Sequence, residues 1–137
     1  MRFTLPAFVT TTLLALLPAH AQDLEEGFVP LFDGTSLDGW TSARALAGGE
    51  SAFSINKEEK TLHVYAGEKA NSKQDTDCLN TKKEFSHYIL KLEYKWLEKR
   101  FAPRTDWDRD AGLLFHVHGD LKKVWPLSLE MQIGESP

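Results

Sequence analysis

Cysteine is almost absent: among 137 residues only Cys78 carries a thiol. One thiol closes no internal disulfide, so the fold must hold by burial and hydrogen bonding, and a lone Cys reads first as a small buried apolar side chain. Also missing are a CxxC pair, a Gly-rich phosphate loop, a GxSxG elbow and an HExxH zinc helix. Their absence removes the usual signs of a nucleotide or organic cofactor and of serine-hydrolase or zincin chemistry. Positive charge is scarce too. With 16 Lys and Arg against 20 Asp and Glu, a net charge of -4, no field draws nucleic acid or an anionic membrane.

Long apolar runs are confined to the N-terminus. Met1-Arg2 gives a positive start, Phe8 to Leu17 is apolar, Pro18 breaks it, and Ala19-His20-Ala21 is the small-x-small pattern of a signal-peptidase site. Residues 1–21 are therefore expected to be a secretory signal cut after Ala21, placing residues 22–137 in the periplasm or outside the cell. An N-terminal anchor or buried helix is the alternative, disfavoured because the run falls short of the roughly 20 residues that span a bilayer. No Cys near the cut points to lipid modification. The remainder suffices for one modest domain.

Past that point the pattern is that of short strands and polar loops. Phe28–Phe32 is extended and apolar, followed by turn chemistry at Asp33-Gly34 and Asp38-Gly39, with Trp40 expected in the core. Thr41 to Glu50 reads as a loop, and Phe53–Ile55 with Thr61–Tyr65 as a hairpin around Asn56–Lys60, His63 on its exposed side. Gly67 to Asp77 is a second loop, and Cys78–Thr81 a short strand. Tyr88–Trp96 is the best middle strand, with Tyr88, Leu90, Leu92, Tyr94 and Trp96 on one face. No useful helical period follows the signal, so the fold class is an all-β sandwich. Because the last strand runs almost to Pro137, the sandwich is expected to be incomplete, with unpaired, aggregation-prone edges.

Two runs near the end carry the chemistry. In Leu127–Ile133, Leu127, Leu129, Met131 and Ile133 share one face while Ser128, Glu130 and Gln132 share the other. In Leu113–His118, Leu113, Phe115 and Val117 alternate with Leu114, His116 and His118. Each run thus offers an apolar face for a core and a polar face for a site.

Three motifs in order carry a family resemblance. Phe28-Val29-Pro30-Leu31-Phe32-Asp33-Gly34-Thr35-Ser36-Leu37-Asp38-Gly39-Trp40 is similar to the LFDG-x-x-LdGW opening of the 3-keto-disaccharide hydrolase family, also described as 3-keto-glucoside 1,2-lyase and 2-hydroxyglucal hydratase domains. Phe85–Trp96 resembles its middle strand, and Trp125-Pro126-Leu127-Ser128-Leu129-Glu130-Met131-Gln132 its WP-x-S-x-E-x-Q strand. The resemblance implies a concanavalin A-like jelly roll, exported by bacteria and acting on glucosides oxidised at carbon 3. Members often show Asn-Ser-Gly where this chain has Asp110-Ala111-Gly112, and usually carry several more strands after the point where this sequence stops.

The implied chemistry needs a base, a donor for the leaving oxygen and a group that stabilises an enolate. Glu130, His118 and His116 are the expected catalytic residues. The two His, separated by one residue on a strand, would share a face and with Glu130 could hold a divalent metal ion as Lewis acid. Gln132 would orient sugar hydroxyls. Trp125 either stacks on the sugar or packs at the strand entry, and Arg109 and Asp110 either reach the cleft or form a solvated ion pair. The expected partner is a small carbohydrate, with neither nucleic acid nor membrane. Two rivals stand beside this reading. A laminarinase-type glycosidase would use Glu130-x-Gln132-x-x-Glu135 and needs a bulge at Gly134 to bring both carboxylates to one face. A non-catalytic carbohydrate-binding or adhesion module would bind without turnover.

Overall fold

A computed structural model of the chain describes residues 25–135, so the signal expected over residues 1–21 lies outside the described residues. The chain divides into two units, Met1–Pro30 and Leu31–Pro137. In the first, the described residues include a turn in which Phe28 N–H donates to the Glu25 carbonyl at 3.0 Å, with Gly27 at φ 88°.

Among its described residues the second unit is nearly all β, as the strand pattern predicts, with three two-stranded antiparallel sheets. Strand β1 (Trp40–Ser42) pairs with β4 (Leu79–Thr81), β2 (Phe53–Asn56) with β3 (Thr61–Val64), and β5 (Asp110–His118) with β6 (Leu127–Gly134). The hairpin turn is where the sequence puts it. Asn56 Oδ1 accepts from Glu58 N–H at 3.1 Å and Glu59 N–H at 3.2 Å, an Asx turn that reverses the chain. At the opening, Asp33 Oδ1 accepts from Thr35 and Ser36 N–H, both at 2.7 Å, while Gly34 takes φ 76°. Those backbone donors hold the Asp33 carboxyl down at about 2.

Several expectations need correction. The loop expected over Thr41 to Glu50 holds the end of β1 and a one-turn helix α1 (Ala43–Leu46), whose N-cap is Ser42 accepting from Ala45 N–H at 3.1 Å. His63, expected on the outside of the hairpin, is half-buried with its Nε2 shielded and unpartnered. Tyr88–Trp96 has the alternation of a strand but no ladder partner among the described residues, and Tyr88, Leu92 and Tyr94 are exposed. Alternation describes which face a residue occupies; a strand also needs a neighbour for its N–H and C=O groups.

Asp77 is the hub of the β1–α1–β4 region. Its Oδ2 accepts from Ser42 Oγ at 2.7 Å and Ala52 N–H at 2.9 Å, and its Oδ1 from Cys78 N–H at 2.8 Å and Arg44 N–H at 3.1 Å. Burial, the largest influence, pushes its pKa up, but the donors from Ala52, Ser42, Arg44 and Cys78 together bring it below the ordinary Asp value. Burial and the nearby Asp77 push the Cys78 thiol up, away from the reactive thiolate. Around this hub Ala43 and Ala52 are the buried apolar residues, and no large side chain is fully buried among the described residues. Polar cross-linking therefore carries much of what a thicker core does elsewhere.

Candidate active site

The longest ladder positions the site. β5 and β6 pair Asp110 with Gly134, Gly112 with Gln132, Leu114 with Glu130 and Phe115 with Leu129. Opposed residues of an antiparallel pair share a face, so Asp110, Gln132 and Glu130 stand together, as the alternation of β6 predicts. Gln132 Nε2 donates to Asp110 Oδ2 at 2.9 Å, and Arg104 Nε reaches Asp110 Oδ1 at 2.9 Å. Arg104 is itself held by donating Nη1 to the Asp108 carbonyl at 2.9 Å. Glu130 lies over Gly112: a Cβ there would stand 2.6 Å from Glu130 Cδ and 2.7 Å from Cγ. The glycine leaves the space that the carboxylate occupies, and no described residue forms an ion pair or hydrogen bond with it.

The two histidines part company at a bulge. After Phe115↔Leu129 the next pair is His118↔Leu127, so β5 spends three residues where β6 spends two, and His116 takes φ 54°. That extra residue reverses the alternation, turning His118 to the Leu127 and Leu129 face, opposite Glu130. The set His116, His118 and Glu130 expected to hold a metal does not fit this register. Among the described residues no three His, Cys, Asp or Glu side chains group to hold a metal ion. His116 stays at the bulge, its ring 5.6 Å from that of Phe115. Nor is the other face a core. Leu129 and Met131 are 57% and 53% exposed, because no second sheet covers them among the described residues.

Comparison with known proteins decides the family. The model of the 3-keto-alpha-glucoside-1,2-lyase-like domain matches residues 27–137. The chain belongs to this family. No curated protein and no solved structure matches it. The family's description names lyase chemistry on 3-keto-glucosides, and the matched span holds all three sheets, Gly112 and the Asp110–Gln132–Glu130 face.

Within the family domain, Arg109 serves the frame. It sends Nη2 to Glu135 Oε1 at 2.6 Å and Nε to Oε2 at 3.0 Å, donates Nη1 to the Leu97 carbonyl, and stacks 5.1 Å from the Trp96 ring. Arg100 adds Nη2 to Glu135 Oε1 at 2.9 Å. Pairing continues unbroken to Gly134, so Glu135 keeps the face opposite Glu130 and is clamped by two guanidinium groups. The bulge required by the Glu130/Glu135 glycosidase reading is absent. Trp125 is exposed at the entry to β6 beside the buried Pro126. Sequence reasoning missed Arg104, which lies in an irregular charged stretch with no periodicity, six residues before its partner Asp110.

Glu135 makes a testable acid sensitivity. Side-chain donation from Arg109, then backbone donation from Arg109 and the charge of Arg100, hold its carboxyl at about 2 against an ordinary 4.5. A depressed folded pKa adds stability that is complete above 4.5 and fades as pH falls towards about 2. Glu135→Gln is expected to lower the urea midpoint at neutral pH. The gap between variant and native chain should close on acidification through that window; a gap unchanged at the acid end would show that the clamp is not electrostatic.

Proposed function

We propose that the chain is an exported enzyme that cleaves 3-keto-glucosides by elimination across carbons 1 and 2 followed by hydration, with residues 1–21 as signal and the jelly-roll domain within 22–137. The observation that carries this reading is the uncommitted Glu130 carboxylate beside the Asp110–Gln132 pair in a chain of the lyase-like family. A ketone at carbon 3 acidifies the carbon 2 proton. Glu130 takes that proton, the enolate forms, and its electrons expel the oxygen on carbon 1. Water then adds its hydroxyl to carbon 1 and gives up its remaining proton to the expelled oxygen, while the proton held by Glu130 returns to carbon 2. Gln132, with one amide N–H on Asp110 and a second to spare, orients sugar hydroxyls, and Arg104 directs its remaining N–H groups at the enolate oxygen. His116 sits within the bulge of β5, just past Leu114 and Phe115.

Incubating the exported protein with a 3-ketoglucoside and with its unoxidised parent separates the readings. Release from the ketone alone is expected. Release from the parent glucan would favour the glycosidase, and binding without release the carbohydrate-binding module. A chelator arm tests the divalent ion suggested by the sequence.

A further inference from the structure

A cleft of about 490 Å³ opens between residues 85–90 and the edge of β5 not paired with β6. That size suits a small organic group, since ligand pockets run from roughly 300 to 1,000 Å³. Its two walls are aromatic. On one side Phe85 and Tyr88 meet edge to face, centroids 6.3 Å apart and planes at 72°; on the other Phe115 and His116 tilt together at 5.6 Å and 55°. Two of the five described non-glycine residues with positive φ, His87 at 56° and His116 at 54°, line this same cleft. Left-handed backbone at a non-glycine residue is a cost that concentrates at working sites. Leu114 lines the cleft and is also the cross-strand partner of Glu130 on β6, so the cleft and the carboxylate lie to either side of β5.

We propose that this cleft is the leaving-group subsite and that it takes an aryl aglycone. The inference rests on the lyase reading above and adds the substrate class: 3-ketoglucosides of phenols. A sugar needs many hydrogen-bonding partners, and those stand on the Asp110–Gln132–Glu130 face; walls of Phe85, Tyr88 and Phe115 match a flat ring by stacking and edge contacts. When the bond between carbon 1 and the glycosidic oxygen breaks, the oxygen keeps the bonding pair and leaves as a phenolate. The imidazole N–H groups of His87 and His116 receive it as hydrogen-bond donors, and the carbon 2 proton stays on Glu130 until water adds.

Tyr88→Ala is the informative variant, because Tyr88 is exposed and its removal empties no core. Loss of one aromatic contact is expected to raise KM for a phenyl 3-ketoglucoside about tenfold, with methyl 3-ketoglucoside changed less than about twofold. An equal change for both substrates, or none for either, overturns the subsite. A second readout needs no turnover: phenol titrated into the full chain should shift the imidazole resonances of His87 and His116, and Tyr88→Ala should weaken that shift. Unmoved resonances overturn the subsite. If neither glucoside is cleaved while phenol still moves both imidazoles, the lyase reading fails and the aryl subsite stands.

Discussion

Glu130→Gln is expected to lower kcat for a 3-ketoglucoside by about a hundred- to ten-thousandfold, the range that a positioned general base supplies, and to leave the fold intact. The expectation is large because nothing else on that face can substitute. Asp110 is engaged by Arg104 and Gln132, and Glu135 is clamped by Arg100 and Arg109 on the opposite face. Gln keeps the shape that fits over Gly112 but cannot accept a proton at neutral pH. KM should move little, because the interaction lost is made with the proton in flight rather than with the bound sugar. Far-ultraviolet circular dichroism and the urea midpoint should match those of the native chain. Full activity in the variant would move the base elsewhere and end the assignment of this face.

The second large effect concerns stability. Asp77→Ala removes the acceptor of Ser42 Oγ and of the Arg44, Ala52 and Cys78 amides in one step. Hydrogen bonds to a charged group contribute about 1.5–3 kcal/mol each and do not add, so a loss of about 3–5 kcal/mol is expected. Stabilities of whole domains are only about 5–15 kcal/mol, and the buried apolar residues beside this hub are two alanines, so the loss is a large fraction of the total. Urea denaturation monitored through Trp fluorescence reads it directly. Asp77→Asn retains one acceptor oxygen and should fall between; a midpoint for Asp77→Ala within error of the native chain would show that the hub does not hold β1, α1 and β4 together.

Both predictions show what could be read in advance. The turn at Asp33-Gly34, the hairpin around Asn56, the strand at Leu79–Thr81 and the period-two faces of β6 depend on neighbours in sequence, so composition and alternation announce them. Glu130 and Gln132 sharing a face follows from the same rule. Asp77 lay inside an apparent loop because its donors come from as far as thirty-five residues away, a relation no local pattern carries.

By itself, then, the sequence determined an all-β chain of the lyase-like family with Glu130 and Gln132 on one side of its last strand. Tertiary structure decided who joins them. One extra residue between Phe115 and His118 turned His118 to the other face, since a side-chain period of two reverses with a single insertion. Arg104 rather than Arg109 came to Asp110, because Glu135, just past the end of the neighbouring strand, captured Arg109. Tyr88–Trp96 stayed unladdered for the same kind of reason: alternation belongs to the segment, whereas pairing belongs to its neighbour.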